Sequence, residues 1–485
     1  MLLVGTPRFS GMTERPRVGN QRRFERQVMH ETAASNPTTI SRAELRRVGW
    51  GSFIGTAIEW YDFFVFSAAS ALVFGPLFFP GASPIVGVLS SFAVFGTGFV
   101  ARPFGAIFFG FLGDRVGRKK TLIATLLSMG AGTFLVGCLP TAGQIGILAP
   151  ILLVVCRLLQ GFATGGEWGG ATLVAIEFAP DGKRGKYGTF PQLGNGTGIA
   201  LSTAVFALVS LLPQQQFITW GWRLPFFSSI VLIAVGLLIR KRIGETPSFT
   251  KMLANNEVVK NPLATLFRND TPSVLRVIGM KLIEGVFSIL CFTFVVAFAT
   301  GQLHADRTEI LVGSTIAAVL SVPSQYFFGS LSDRVGRRPV LMFGIGFLIV
   351  FAFPFFWLVE TGNPVLVSLA MVIGFCVGYS ALYSVHTSYF SELFPARTRY
   401  SALAVSTNIG SVISSGPASL IAGILVAAAG GSAWMVSIYI IVVGVISFIS
   451  VSLSPETAHS PLRGESVKVE NPELAPSVGD AELVK

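Results

Sequence analysis

Twelve separate stretches of mainly apolar residues, each long enough to cross hydrocarbon, recur along the chain, and nothing else limits its fold so tightly. They cover about 49–74, 87–112, 119–139, 147–173, 188–212, 224–240, 274–300, 309–331, 339–359, 364–389, 399–428 and 432–453. A spanning helix needs roughly 20 such residues. Lipid offers no partner for a backbone N–H or C=O, so a crossing segment of this length must satisfy its own backbone as a helix. The sequence therefore predicts an all-α membrane protein with twelve transmembrane helices. Composition agrees: 51% of residues are apolar and 13% charged, against about 25% charged in soluble domains. That balance argues against a soluble enzyme and against a disordered scaffold.

The formal charge is +11, and what matters is where the cations sit. Of the 36 Lys and Arg, 31 lie ahead of the first stretch, after an even-numbered stretch, or beyond the last. Twelve crossings put all of these on one side, and basic loops stay cytoplasmic. Both termini are thus expected in the cytoplasm of a cell-membrane protein, and the basic excess needs no nucleic-acid partner. Residues 1–47 read as a polar, Arg-rich cytoplasmic segment without the apolar core or cleavage site of a signal peptide. Residues 48–240 and 274–453 read as two six-helix bundles, 241–273 as the charged linker between them, and 454–485 as a disordered tail. Cys138, Cys156, Cys291 and Cys376 fall inside apolar runs, without metal-ligand spacing. The sequence has no Walker-type phosphate loop and no nucleophile–base pattern. Neither a cofactor, nor a metal, nor an enzymatic activity, nor an obligate protein partner is expected.

The chain repeats itself. The loop after the second stretch reads Gly113-Asp-Arg-Val-Gly-Arg-Lys-Lys120, and the loop after the eighth reads Ser332-Asp-Arg-Val-Gly-Arg-Arg-Pro339. Asp114 and Asp333 are 219 residues apart. A second pair, Glu177-Phe-Ala-Pro180 with Arg184 and Glu392-Leu-Phe-Pro395 with Arg399, recurs at an offset of 215. Two motifs repeating at nearly one spacing point to duplication of a six-helix unit. Parallel six-helix halves with a site between them are a transporter architecture.

These Asp-Arg-x-Gly-Arg and Glu…Arg loops resemble the major facilitator superfamily over residues 48–453. Ala57-Ile-Glu59-Trp60-Tyr61-Asp62-Phe63, Arg102-Pro103-Phe104-Gly105, Arg157-Leu-Leu-Gln160-Gly161 and Gly165-Gly-Glu167-Trp168-Gly-Gly170 look like its metabolite:proton symporter branch. Trp220-Gly-Trp-Arg-Leu-Pro225 and Leu282-Ile-Glu284 make the chain most similar to shikimate-type permeases. The resemblance implies the major facilitator fold and a substrate that is a carboxylate or, as in other members of the branch, a zwitterion such as proline or betaine.

Charges inside the apolar stretches narrow the chemistry. A charged side chain near the bilayer centre costs a few kcal/mol, so it is expected to face a cavity or a partner. Glu59 and Asp62 share one helical face. Glu59 lies twelve residues from Arg47, and Arg102 twelve from Asp114. Both should therefore sit roughly 18 Å deep, which places Arg102 to pair with Glu59 or Asp62. Arg157 and Glu167 fall on the fourth stretch, Lys281 and Glu284 one turn apart on the seventh, although the long stem of Lys281 could also carry its charge toward the cytoplasm. Four acids against three bases leave one carboxyl to titrate, because buried charge persists only when paired or neutralised. Glu59, Asp62, Glu167 and Glu284 are the candidate proton carriers, Asp62 and Glu59 foremost. Arg102, Arg157 and Lys281 are the candidate anchors for a substrate carboxylate, Arg because its planar fork matches that group.

Uncharged polar and aromatic residues complete the expected site: Trp60, Tyr61, Gln160, Gln192, Asn195 and Asn408. The glycines of the fifth stretch and the Gly416-Pro417 break of the eleventh suit close packing or a cavity wall. His386 is expected as a packing residue with satisfied hydrogen bonds. Asp114, Arg118, Glu177, Arg184, Asp333, Arg337, Glu392 and Arg399 form an expected latch: salt bridges among them would join the two halves on the cytoplasmic side and break as the protein opens. The reading is a secondary active transporter, taking up a small organic acid with protons by alternating access. The alternatives are symport of a zwitterion, or a proton antiporter that exports small molecules.

Overall fold

The computed structural model describes residues 42–460 except 117, 166–171, 173–174, 177–178, 180–181, 243–265, 269 and 396–397. The side chains of 42–48, 110–111, 113–119, 122 and 239–242 also lie outside the described set. Twelve helices run through it at the twelve expected places. They are α1 (Arg42–Leu72), α2 (Pro84–Val116), α3 (Arg118–Cys138), α4 (Leu148–Thr164), α5 (Arg184–Ser210) and α6 (Gly221–Leu238), then α7 (Thr271–Gly301), α8 (Arg307–Val335), α9 (Arg337–Glu360), α10 (Pro364–Leu393), α11 (Arg399–Ala428) and α12 (Trp434–Ser452). Nine of them are long and apolar enough to cross a membrane among the described residues. The described apolar runs of α3 and α4 are shorter, and α1 is made more polar by Glu59 and Asp62 in its middle.

The outer helices turn apolar side chains outward: Val350 and Val365 are 78% and 73% exposed. In water such a surface would be unstable, and in lipid it is matched. Charge is used to close helix ends. Arg223, just ahead of the main run of α6, donates to the carbonyls of Gly137 and Leu139 at 2.7 and 2.6 Å, satisfying the exposed C-terminal end of α3.

The two halves meet where α1, α2 and α5 face α7, α8, α10 and α11. Gly194 and Gly198 on α5 let α1 approach: a Cβ at either would lie 2.5 Å from a backbone oxygen of α1. Gly196, on the other face, does the same for α8, where an added Cβ would stand 2.6 Å from Ser321 Oγ. Across the α1–α7 seam, Ser67 hydrogen-bonds Thr293 and Phe64 meets Phe292 edge-on. Three irregularities fall on the C-terminal half's side of this interface. The backbone widens to π-type turns at Leu290–Phe294 of α7 and Gly374–Tyr379 of α10, and α11 is interrupted between Ile413 and Ala418. Such turns are frequent beside functional sites.

One expectation changes. The segment after α12 does not begin as a solvated tail: Ser454, Thr457 and Ala458 are buried. Glu456 accepts the N–H groups of Arg337 and Arg338 at 2.9 Å each, capping the N-terminus of α9. Residues 461–485, 243–265 and 1–41 lie outside the described residues.

Candidate functional site

Between the halves lies a cavity whose walls carry Glu59, Trp60 and Phe63 from α1, Phe99 and Arg102 from α2, and Thr164 from α4. From the other half come Lys281, Glu284, Gly285, Ser288 and Ile289 of α7, with Thr407, Asn408, Ser411 and Ser415 of α11. It is narrow, with room for about two water molecules. A smaller space adjoins it on the N-terminal side, bordered by Glu59, Asp62, Arg102, Arg157 and Gln160.

The cations are desolvated in two ways. Those of α2 and α4 lie on aromatic faces. The Arg102 guanidinium is 5.1 Å from the centre of Phe63 and 4.7 Å from Phe99. That of Arg157 lies 4.8, 4.5 and 4.7 Å from Phe63, Phe66 and Phe95. Such contacts contribute about 0.5–2 kcal/mol each. Arg157 also donates from Nε to the carbonyl of Phe95 at 3.1 Å and from Nη1 to Gln160 Oε1 at 3.4 Å. On α7, buried Lys281 pairs with buried Glu284 one turn on, so its stem does not carry the charge away. Tyr379 OH donates to Glu284 Oε1 at 3.4 Å, and Tyr383 lies 5.8 Å below the Lys281 ammonium.

Of the residues predicted from sequence, Glu59, Asp62, Arg102, Arg157, Gln160, Lys281, Glu284, Trp60 and Asn408 border these two spaces. Glu167 lies outside the described residues. Tyr61 borders neither of these spaces: its hydroxyl donates to the Pro225 carbonyl at 2.9 Å and meets Ser228 Oγ at 2.5 Å, bracing α1 against α6. Helical geometry explains this, since a residue next to Trp60 points about 100° away from it. Gln192 and Asn195 are buried behind the cavity and tie α5 to α10, Gln192 Nε2 donating to the Tyr383 carbonyl at 2.9 Å and Asn195 Oδ1 accepting from Tyr379 OH at 3.4 Å. His386 is also not as expected. It is 1% exposed, stacks on Phe390 with ring centres 4.4 Å apart, and neither ring nitrogen has a hydrogen-bond partner.

Ser415, beside the Gly416-Pro417 break, borders the cavity together with Ser288, Thr407 and Ser411, hydroxyls that no charge or motif marks in the sequence. Tyr379 and Tyr383 stack along α10 at 5.1 Å between ring centres, with Trp60 edge-on to Tyr383 at 6.3 Å. These aromatics were visible as residues, but not as one ladder behind Glu284.

Part of the expected latch lies among the described residues. Arg337, fully buried, binds Glu392 through Nε at 3.4 Å and Nη2 at 3.2 Å, and Asp333 through Nη1 at 2.9 Å. All three residues belong to the C-terminal half, so these ion pairs brace one half and do not themselves join two. Among the described residues, hydrogen bonds cross between the halves here: Asp333 Oδ1 and Oδ2 accept the N–H groups of Gly185 and Lys186 at 2.7 and 2.8 Å, in the first turn of α5. Arg184 Nη1 donates to the Ser460 carbonyl at 3.0 Å, while Arg399 Nε donates locally to Phe394 O at 3.2 Å. The side chains of Asp114, Arg118 and Glu177 lie outside the described set. Thr457 Oγ1 donates to Glu392 Oε2 at 2.5 Å. Burial pushes the Glu456 carboxyl up, but the N–H groups of Arg337, Ala458, Arg338 and Thr457 outweigh it and hold the group below the usual carboxylate range.

A cavity with buried charge, walled by both halves, suits a transporter, and comparison with known proteins decides the family. The family model of the Major Facilitator Superfamily matches residues 52–415 and 278–477. The chain belongs to the Major Facilitator Superfamily. Its relatives in Escherichia coli K12 include the shikimate transporter, 35% identical over 86% of this chain and 96% of the relative. The inner membrane metabolite transport protein YhjE is 39% identical over 85% and 94%, and the proline/betaine transporter 34% identical over 88% and 87%. Among solved structures, the xylose transporter XylE from E. coli, in a partially occluded inward-open conformation, superposes with a TM-score of 0.68 at 16% identity, covering 87% of this chain and 99% of that one. The chain is thus a membrane transporter of the superfamily and not an enzyme, with its twelve helices in two six-helix repeats.

Proposed function

We propose that this superfamily member takes up a small organic acid together with protons, by alternating access, with its basic end and both termini in the cytoplasm. The observation that supports a carboxylate most is the use made of the aromatic faces. A quaternary ammonium group is recognised by open π-faces. Here Phe63 is covered by both Arg102 and Arg157, and Phe99 by Arg102. What these walls offer a solute is a guanidinium beside hydroxyls, a set suited to an anion. The relatives named for shikimate and for metabolite transport fit this reading, whereas those named for proline and betaine represent the alternative.

In this reading Arg102 holds the substrate carboxylate, with Arg157 and Lys281 setting the local field, and Trp60, Gln160 and Asn408 shaping the wall. Asp62 or Glu59 carries the proton, with Glu284 and Glu167 as further candidates. A carboxyl in a low-dielectric space beside cations changes its proton affinity strongly when a neighbour moves or a substrate anion arrives. The cavity is too small for a metabolite as it stands, so loading requires the halves to part, as alternating access demands.

The test is uptake into proteoliposomes under an imposed inside-alkaline gradient, with shikimate, aliphatic carboxylates, proline and betaine as solutes and an uncoupler control. Accumulation of a carboxylate that the uncoupler abolishes is expected. Accumulation of betaine or proline alone would replace the carboxylate by a zwitterion, and accumulation only under the opposite gradient would replace uptake by export.

A further inference from the structure

Helix α8 holds both ends of α5. At the basic end, Asp333, near the C-terminus of α8, accepts two N–H groups from the first turn of α5. At the far end Arg307, the first residue of α8, donates from Nη2 to the carbonyl of Ser210, the last residue of α5, at 3.1 Å. Its Nη1 donates to Gln214 Oε1 at 3.0 Å, and its guanidinium sits 3.8 Å from the centre of the buried Phe217 ring. The helix macrodipole leaves partial positive charge at the N-terminus of α5 and partial negative charge at its C-terminus, where backbone groups also lack intrahelical partners. An acid at the first end and a cation at the second complement both. Between the clamps, Thr315 Oγ1 donates to Thr203 Oγ1 at 2.9 Å.

We propose that Arg307 is a positioning residue that keeps the end opposite the basic loops closed, as the counterpart of Asp333. No motif singles it out, and the two clamp residues are 26 residues apart on one helix, with Pro323 between them. Because α5 and α8 belong to different halves, parting them at one end strains or breaks the clamp there while the other persists as a pivot. Opening of one end at a time then follows from the seam itself, independently of which solute is carried.

The experiment is cysteine accessibility in the full-length chain. The native cysteines are replaced by serine, Ser411→Cys is placed in the cavity wall, and a membrane-impermeant maleimide is applied separately to each membrane face. Arg307→Ala should raise labelling about five-fold from the face at the start of α8 and lower it from the basic face, as expected when one closed state loses a stabilising contact. Asp333→Asn should move the two rates in the opposite senses. Arg307→Lys keeps a charge at the carbonyl end without the fork and should fall between wild type and Arg307→Ala. If Arg307→Ala folds poorly, Arg307→Lys and Gln214→Ala should show the same asymmetry with smaller amplitude. Arg307 variants that leave both rates unchanged, or raise both together, overturn the proposal.

Discussion

The basic end and the central cavity place their buried acids differently with respect to the two halves. At the basic end each of Asp333, Glu392 and Glu456 is held by several donors: two N–H groups and Arg337 for the first, Arg337 and Thr457 for the second, four N–H groups for the third. Hydrogen bonds to the ionised form make such a carboxylate reluctant to take a proton. At the centre, Glu59 and Glu284 border a space of water dimensions together with Arg102 and Lys281, cations that belong to different halves. The Arg337–Glu392 pair lies within one half, whereas the cavity sets Arg102 of one half opposite Lys281 of the other, so movement of the halves changes the field at the central acids more than at that pair. We propose a division of labour on this basis, with the end holding a conformation and the centre exchanging charge.

The largest effect should come from removing the ionisable acids of α1. Asp62→Asn, and in parallel Glu59→Gln, is expected to abolish gradient-driven accumulation in proteoliposomes for at least one of the two, while substrate exchange across the membrane persists. If both variants concentrate substrate normally, charge exchange does not reside on this wall and the comparison loses its central term.

Next is Arg102→Lys, which keeps the charge but loses the bidentate fork and its broad contact with Phe63 and Phe99. Half-saturating substrate concentration should rise by about ten-fold or more. Unchanged affinity would move the substrate carboxylate elsewhere.

The α7 pair gives a sharper test of stability. Lys281→Met strands a buried carboxylate, and removing one partner of a buried pair costs about 3–5 kcal/mol. The double change Lys281→Met with Glu284→Gln should recover most of the melting temperature in detergent. Recovery of melting without recovery of transport would separate the pair's structural part from its functional one. If the single change melts like wild type, the pair is not what holds this wall.

The smallest effect is expected at Glu456. Its carboxyl is held below the usual range, so it contributes stability above the ordinary Glu pKa of about 4.3 and loses it as pH falls through the depressed value. Glu456→Gln should therefore melt lower than wild type at pH 7, and the gap should close in strong acid. A gap that stays constant across pH would mean the side chain acts through packing alone.

Much of this molecule was legible in the chain. Each apolar stretch must become a helix because lipid leaves its backbone no other partner, and the observed helices begin and end within a few residues of the predicted spans except α1, whose described start lies seven residues earlier, and α4, whose described helix closes nine residues short. Glu59, Arg102, Lys281 and Glu284, charged residues inside those stretches, border the cavity, as expected where lipid makes charge costly. Tyr61 was misread because adjacency to Trp60 in sequence puts it on another face of α1, where Pro225 and Ser228 take its hydroxyl. Of the expected latch, Arg337 and Glu392 are partners within one half, and among the described residues one contact that crosses is the Asp333 carboxylate on backbone N–H groups, which carry no sequence signature.

Composition and spacing alone determined that the chain is a duplicated bundle of membrane helices with ionisable residues inside its apolar stretches, because the cost of polar groups in hydrocarbon acts residue by residue. Which of those groups meet, that Arg102 lies on Phe63 and Phe99 while Lys281 turns to Glu284, and that Arg307 reaches the end of α5, was decided only by the tertiary structure. Those contacts depend on helix rotation and on the few ångströms between packed helices, which side chains from distant parts of the chain set together.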